Sequence, residues 1–253
     1  MKRAIYILMS VLLSASWSCS ELDNFEEPKE TLYGKIIDKG TGETLQCEAG
    51  DSSVRLKLME YSWSDEPTPL YCVVRQDGTF NNSRIFKGEY GIVPEGPFVP
   101  LQRYDDNGIL IKDESKMVKI KGEAYVDFEV EPFLRVDWMG EPVINADGTI
   151  SVDVRVVRGT TDYEYQAPVS SIALFLSSTA YVGDNNYSDK YSQRMSFEGE
   201  AAEPLLGTVI TMTTREPVPT ARPWFLRAGA RIDYTIAGRT RYNYTTGVRV
   251  DVP

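Results

Sequence analysis

Alternation of apolar and polar residues recurs along most of this chain and constrains its fold more than any other feature. In the segment "VRLKLME", Val54, Leu56 and Leu58 alternate with Arg55 and Lys57. The same period of two returns in "ISVDVRVV", "SIALFLSS" and "RIDYTIAG". Successive side chains of a strand point to opposite faces, so this period predicts half-buried strands. No stretch keeps helical spacing over three turns, and we therefore predict an all-β protein.

The length of the chain and the spacing of its strands predict two domains. A chain of 253 residues can bury more than one ordinary core. Short strands separated by turn residues are typical of β-sandwiches of about 100 residues each. We place the boundary at Glu131–Pro132, which gives two tandem β-sandwich domains, at 31–131 and 132–253.

The first residues have the pattern of an export signal. Lys2 and Arg3 precede an apolar run that ends in small residues at Ser18. This run is too short to be a good membrane-spanning helix. We therefore interpret residues 1–18 as a signal peptide that is removed on export.

Cys19 follows the signal at the position where a bacterial lipobox places its acylated cysteine. The segment resembles such a lipobox, which implies that Cys19 carries lipid and anchors the protein to a membrane. The alternative is ordinary cleavage after Ser16, which would leave a soluble exported protein with a free thiol. Residues 19–30 are acidic and predict a solvated tether.

The acidic stretch after Cys19 also resembles the surface-export signal of lipoproteins in Bacteroidota-type bacteria. That resemblance implies an outer-membrane lipoprotein that faces the cell surface, and a periplasmic orientation is the alternative.

Composition limits the function classes. The chain has no histidine, which removes Ser-His-Asp and Cys-His nucleophilic systems and imidazole-based zinc sites. A net charge of −10 would repel a nucleic acid backbone, so nucleic acid is not an expected partner. Asp105 and Asp106 are adjacent, and neighbours on a strand do not face each other as an acid/base pair must. We predict a protein that is not an enzyme and uses no cofactor or metal.

Two blocks of sequence resemble an uncharacterised lipoprotein family that is encoded beside SusC/SusD-type outer-membrane nutrient importers of Bacteroidota. The first block is "DNFEEPKETLYGKIIDKGTGETL" and the second is "DGTFNNSRIFKGEYGIVPEGPFVP". The segments "FLRAGARIDY" and "RYNYTTGVRV" resemble the closing strands of the same family. The matching positions are Asp23, Asn24, Phe25, Pro28, Leu32, Gly34, Asp38, Thr41, Gly42, Glu43, Asp77, Gly78, Phe80, Phe86, Gly88, Tyr90, Gly96, Pro97 and Phe98.

This resemblance implies an N-terminal transthyretin-like or carboxypeptidase-regulatory-like domain and a C-terminal immunoglobulin-like domain. It also implies a surface accessory of a SusC/SusD-type importer that takes up nutrients, chiefly glycans. Such an accessory could bind an oligosaccharide itself, or it could dock on the importer as a purely structural subunit. The family has no agreed catalytic residues, so none are transferred.

Exposed aromatic residues are the candidate ligand-binding groups, because sugar rings stack their apolar C–H faces on aromatic rings. Core or interface packing and an ordinary solvated loop are the alternatives, and the oxygen-rich loop 181–193 could also hold calcium. The candidate residues are Tyr61, Trp63, Tyr181, Asn185, Tyr187 and Tyr191.

Cys47 and Cys72 both fall near predicted strands of the first domain. Export permits a disulfide between them. Two buried free thiols are the alternative.

Overall fold

A computed structural model describes residues 26–52 and 54–253 of the chain. The predicted signal peptide 1–18, the predicted lipidation site Cys19 and most of the predicted tether lie outside the described residues. Within the described residues, regular structure consists of β-strands and three short 3₁₀ turns. The 3₁₀ turns span Gly50–Ser52, Tyr163–Tyr165 and Gly199–Leu205.

Ten strands build an N-terminal sandwich. One sheet has β1 at its centre, paired with β4 on one side and with β9 and β10, both parallel to β1, on the other. The second sheet has the order β3-β2-β5-β8, and β6 and β7 form a separate hairpin. The strands are β1 (Glu30–Asp38), β2 (Arg55–Glu60), β3 (Leu70–Val73), β4 (Thr79–Ile85), β5 (Gly88–Glu95), β6 (Gln102–Tyr104), β7 (Leu110–Asp113), β8 (Lys116–Ile120), β9 (Glu123–Tyr125) and β10 (Phe128–Val130).

The core of the N-terminal sandwich follows from the alternation in its strands. Val54, Leu56 and Leu58 are buried, as predicted, and they pack with Leu32 and Ile36 of β1. Charged residues occupy the other face of the same strands, where water solvates them. Burial of each such aliphatic side chain contributes about 1.5–3 kcal/mol, so the periodic pattern supplies the driving force for sheet packing.

Gly34 permits β1 to pass close to the strand segment that carries Val126. A Cβ atom added at Gly34 would lie 1.8 Å from the carbonyl oxygen of Val126 and 2.9 Å from the ring of Phe80. Any larger residue would push β1 away from its neighbours in the same sheet. Close packing of the core therefore requires glycine at position 34.

Nine strands build a C-terminal sandwich. In one sheet β13 pairs with β11 and β12 on one side and β16 on the other, and the second sheet has the order β15-β14-β17-β18, with β19 also paired to β17. The strands are β11 (Leu134–Trp138), β12 (Val143–Ile144), β13 (Ile150–Arg158), β14 (Val169–Ser177), β15 (Gln193–Ser196), β16 (Val209–Thr213), β17 (Arg222–Ile232), β18 (Asn243–Tyr244) and β19 (Val248–Val252).

The sheets confirm the predicted fold class, an all-β protein with two tandem β-sandwiches. The boundary at Glu131–Pro132 stays a prediction, as do the transthyretin-like and immunoglobulin-like assignments of the two domains.

Strand β14 is buried on both faces, unlike the half-buried strands around it. Ile172, Leu174 and Leu176 point into the core of the C-terminal sandwich. Ala173 and Phe175 belong to a second cluster, which also contains the rings of Tyr242 and Tyr244. The outer face of this sheet is therefore covered, and the N-terminal sandwich supplies part of that cover.

Arg227 is the central side chain of the contact between the sandwiches. It lies on β17 opposite Phe175 of β14, and it is fully buried. Its Nη1 donates to the carbonyl oxygen of Cys47 at 2.7 Å, and its Nε donates to that of Thr245 at 2.8 Å. The guanidinium also stacks on the ring of Tyr244, 4.4 Å from the centroid. One side chain thus joins backbone groups of both sandwiches.

Glu48 enters the same region from the N-terminal sandwich and is 4% exposed. Its carboxylate accepts hydrogen bonds from the Tyr244 hydroxyl and, at 2.7 Å, from the backbone N–H of Asp184. A Cβ atom at Gly183 would lie 2.4 Å from a Glu48 carboxylate oxygen, so glycine makes room for this group. Burial, and then the nearby Glu48 charge, raise the pKa of Tyr244 well above its ordinary value.

Two further polar contacts complete the junction. The Arg135 guanidinium donates to both carboxylate oxygens of Asp38, at 2.6 and 2.7 Å. This hydrogen bond and the Asp38 charge raise the pKa of Arg135. The buried Asn243 side chain donates to the carbonyl oxygen of Pro97 and accepts from the N–H of Leu134. Satisfied polar groups at these positions fix one orientation of the sandwiches.

Both described cysteines are free thiols. Cys47 is fully enclosed, and burial raises the pKa of its thiol to about 12. Cys72 on β3 is half-buried, and burial raises the pKa of its thiol as well. The structure therefore corresponds to the second of the two alternatives, unpaired thiols.

Replacement of Arg227 by leucine tests the junction. The change leaves the carbonyl oxygens of Cys47 and Thr245 without their donor and removes a cation that interacts with the charge of buried Glu48. Loss of one member of a buried charged network typically lowers the free energy of unfolding by about 3 kcal/mol. We expect a lower urea midpoint by tryptophan fluorescence.

The matched control is Arg249→Leu. Arg249 forms an exposed ion pair with Asp251, and exposed pairs contribute little to stability. Equal urea midpoints for the two variants would contradict the central role of Arg227.

The two thiols should differ in reactivity towards iodoacetamide at about pH 8. Only thiolate reacts, so enclosed Cys47 should stay unmodified in the native protein while Cys72 is alkylated first. Both should react in urea, as peptide mass spectrometry would show. Equal alkylation rates in the native protein, or a peptide that carries a Cys47–Cys72 disulfide, would show that this description of the thiols is wrong.

Candidate functional site

The segment between β2 and β3 presents the exposed indole ring of Trp63. The side chain is 73% exposed, although tryptophan usually buries most of its surface. Its Nε1 donates to Oε1 of Glu60 at 2.9 Å. The ring is thus held by its polar edge, and most of its surface is exposed.

Trp63 lines a groove of about 600 Å³ at one end of the N-terminal sandwich. Three chain segments meet there: the start of β1, the end of β2 with its following loop, and the turn between β4 and β5. We call this feature the Trp63 groove. Among the described residues, its lining consists of two aromatic rings, four carboxylates and one ammonium group: Trp63, Phe86, Glu26, Glu27, Glu30, Glu60 and Lys87.

A hydrogen bond from a buried side chain to the backbone holds the turn that carries Phe86. The hydroxyl of buried Tyr90 donates to the carbonyl oxygen of Phe86 at 3.0 Å, and the Phe86 ring is 43% exposed. Burial raises the pKa of Tyr90, so this hydroxyl stays a donor. A Cβ atom at Gly88 would lie 2.7 Å from both Glu60 Oε1 and Ser62 Oγ, so glycine leaves room for the loop.

Glu30 forms a fixed part of the groove wall. It is the last residue of the predicted tether, yet it is the first residue of β1 and is 7% exposed. Its carboxylate accepts a hydrogen bond from the backbone N–H of Gly122. The fixed carboxylate therefore belongs to the folded sandwich rather than to a solvated segment.

The groove is electronegative. With Lys29 beside Glu26 included, the described side chains at the groove comprise four carboxylates and two ammonium groups, a net charge of −2 when all six are ionised. Glu26 forms an ion pair with Lys29 at 3.1 Å, and this contact lowers the pKa of the Glu26 carboxyl. Chemically, the groove offers aromatic faces for stacking, many hydrogen-bond acceptors and few donors.

Tyr61 lies beside this groove but faces a different depression. It is 42% exposed, and its ring packs over Gly91 on the outer face of the β3-β2-β5-β8 sheet. The depression of about 450 Å³ next to it is lined by Met59, Tyr61 and Met117, among others. Tyr61 and Trp63 are thus neighbours in sequence without lining one cavity.

The candidate residues in the loop 181–193 lie on the C-terminal sandwich. Tyr181 is 67% exposed, and Asn185 donates from its amide to the carbonyl oxygen of Ala49 at 2.7 Å. Asn185 therefore contributes to the junction between the sandwiches.

Tyr187 and Tyr191 are half-buried and pack against other rings. Tyr187 packs edge-on against Phe175 at 5.4 Å, and Tyr191 packs against the core residue Trp224 at 5.2 Å. Neither Tyr187 nor Tyr191 is among the described residues that line the Trp63 groove.

No group of three or more cysteine, aspartate or glutamate side chains in the described part of the chain is arranged to hold a metal ion. No helix in residues 26–52 and 54–253 is long and apolar enough to cross a membrane.

Sequence reasoning identified Trp63 but missed most of the groove around it. Phe86 and Glu30 are separated from Trp63 by more than twenty residues in the chain, and only sheet pairing brings them together. A local signal did exist for Glu60, because a carboxylate three residues before an exposed tryptophan can reach its Nε1.

Comparison with known proteins gives a family. A model of the N-terminal domain of DUF3823, described as a protein of unknown function, matches residues 30–131. A crystal structure of a DUF3823 family protein from Bacteroides uniformis is 35% identical, with a TM-score of 0.84. The match covers 89% of this chain and 100% of that one. No curated protein matches the chain.

Two more distant crystal structures share the fold over the same 89% of this chain and 100% of their own. One, from Bacteroides uniformis, carries the description "putative carbohydrate binding protein", with 21% identity and a TM-score of 0.69. The other is a DUF3823 family protein from Parabacteroides merdae, with 22% identity and a TM-score of 0.64. Because the chain is 35% identical to a DUF3823 family protein and the match covers the whole of that protein, the chain belongs to the DUF3823 family.

Proposed function

We propose that this protein binds saccharide without catalysis and that the Trp63 groove is the binding site. The observation that carries the proposal is the exposed Trp63 ring, held by Glu60 above a groove lined with carboxylates. Aromatic rings stack on the apolar faces of sugars, and carboxylates accept hydrogen bonds from sugar hydroxyls. A ring fixed before binding loses little conformational entropy when the ligand arrives.

The family relationship supports the proposal in a limited way. A relative from Bacteroides uniformis with the same fold is described as a "putative carbohydrate binding protein". At 21% identity that description applies to the relative, and it gives a reason to test saccharides here.

We further propose that the protein works as an outer-membrane lipoprotein, anchored through Cys19 and facing the cell surface. Its proposed partner is a SusC/SusD-type nutrient importer, to which it presents captured glycan. The signal peptide, the lipobox-like Cys19 and the acidic residues that follow support this assignment.

A purely structural role on the importer is the second candidate, and one surface favours it. The β6–β7 hairpin exposes four large apolar side chains: Tyr104 at 52%, Ile109 at 63%, Leu110 at 43% and Ile111 at 65%. Clustered exposed apolar residues mark interaction surfaces more often than scattered ones do. In this candidate function, the hairpin docks on a protein partner.

Replacement of Trp63 by alanine tests saccharide binding. Loss of one stacking platform should weaken binding at least about tenfold, which corresponds to about 1.4 kcal/mol. Calorimetric titration with neutral and amine-bearing oligosaccharides would measure the change. Because Trp63 is mostly exposed, the variant should fold normally.

Tyr163→Ala is the matched control, since Tyr163 is 89% exposed and lies outside the groove. It should bind as the native protein does. Undiminished binding by Trp63→Ala, or no binding of any saccharide by the native protein, would remove the support for this function.

The partner proposal is tested by pull-down of the native, membrane-extracted protein through a C-terminal tag. We expect a SusC/SusD-type pair to co-purify and the N-terminal peptide to carry an acylated Cys19. Replacement of both Ile109 and Ile111 by serine should release the importer if the hairpin docks on it, without altering saccharide binding. An unlipidated protein that purifies alone would contradict both the anchor and the partner.

A further inference from the structure

We infer that the Trp63 groove selects a saccharide that carries a protonated amine over neutral or acidic sugars. This inference rests on the proposed function and adds the class of ligand. It starts from the net charge of −2 at the groove, which comes from described residues of three separate chain segments. Charge complementarity favours a cation, and an acidic sugar would meet like charge.

The carboxylates are held in place. Glu30 is anchored to the backbone N–H of Gly122, and Glu60 is anchored to Trp63 Nε1. Each carboxylate keeps further acceptor capacity, because an ionised carboxylate offers about four lone-pair sites. The groove thus presents fixed acceptors that a ligand with several donors can satisfy.

The aromatic rings add a second preference for a cation. An ammonium group near the face of an indole or phenyl ring is attracted by the ring quadrupole, and tryptophan is the strongest partner. Trp63 and Phe86 both line the groove and both keep large exposed fractions. The aromatic rings suit the apolar C–H face of a sugar. Rings and carboxylates together suit an ammonium group that the sugar carries.

The balance of hydrogen-bond donors and acceptors in the groove also favours a saccharide that carries a protonated amine. A protonated amine has three donors and no acceptor, whereas a sugar carboxylate or sulfate has acceptors only. Among the described residues, the groove has four carboxylates as acceptors and two ammonium donors, one at Lys87 and one at Lys29, which is paired with Glu26. An amino sugar matches this lining, a neutral sugar matches it in part through its hydroxyls, and an acidic sugar does not.

The test is calorimetric titration of the full chain with four β-1,4-linked oligosaccharides of equal length at about pH 6, where such an amine is protonated. The units are glucosamine, N-acetylglucosamine, glucose and glucuronic acid. We expect the glucosamine oligomer to bind at least about tenfold more tightly than the acetylated one. Its affinity should fall with added salt, and the glucuronic acid oligomer should not bind.

Glu27→Gln separates charge from structure, because the Glu27 side chain is exposed and glutamine keeps its size without its charge. It should lower the affinity for the glucosamine oligomer by a larger factor than the affinity for the glucose oligomer. Glu200→Gln, an exposed glutamate of the C-terminal sandwich, is the control and should change neither.

The outcomes distinguish the inference from the function on which it rests. Binding of neutral or acidic oligomers as tightly as the glucosamine oligomer would overturn the inference and leave saccharide binding in place. Binding of none of the four would overturn both.

Discussion

The arrangement of the two sandwiches depends on the burial of Arg227. A buried guanidinium needs acceptors, and the backbone carbonyls of Cys47 and Thr245 supply them from both sandwiches. Glu48 brings a compensating charge into the same region and is itself held by Tyr244 and the N–H of Asp184. Apolar surfaces could slide over one another, whereas these polar groups are satisfied in one arrangement only.

Strand direction then determines where the candidate site can lie. The last residue of β1, Asp38, pairs with Arg135 at the junction, and its first residue, Glu30, lines the Trp63 groove. Nine residues of strand separate these two ends by roughly 26 Å. A ligand bound at Trp63, as we propose, would therefore lie far from the C-terminal sandwich, and the two regions can change independently in sequence.

Local sequence patterns predicted the strands but not the contacts between distant segments. Alternation correctly assigned Leu56 and Leu58 to the core, because it depends on residues that are close in sequence. The same alternation gives Arg227 a solvent-facing position on β17, and it is buried because another sandwich covers that face. Trp63 was recognisable as an exposed aromatic residue, whereas its partner Phe86 is brought near by sheet pairing, which a single sequence does not display.

The position of the groove bears on the proposed role at the membrane. The chain enters the N-terminal sandwich at Glu26, beside the groove and at the end opposite the junction. Six residues lie between Cys19 and Glu26, so a chain of this length can span at most about 25 Å. If Cys19 is the anchor, as we propose, the groove is held close to the membrane surface while the C-terminal sandwich extends away from it. Such a geometry suits a protein that hands its ligand to an importer in the same membrane, since the distance for transfer is then short.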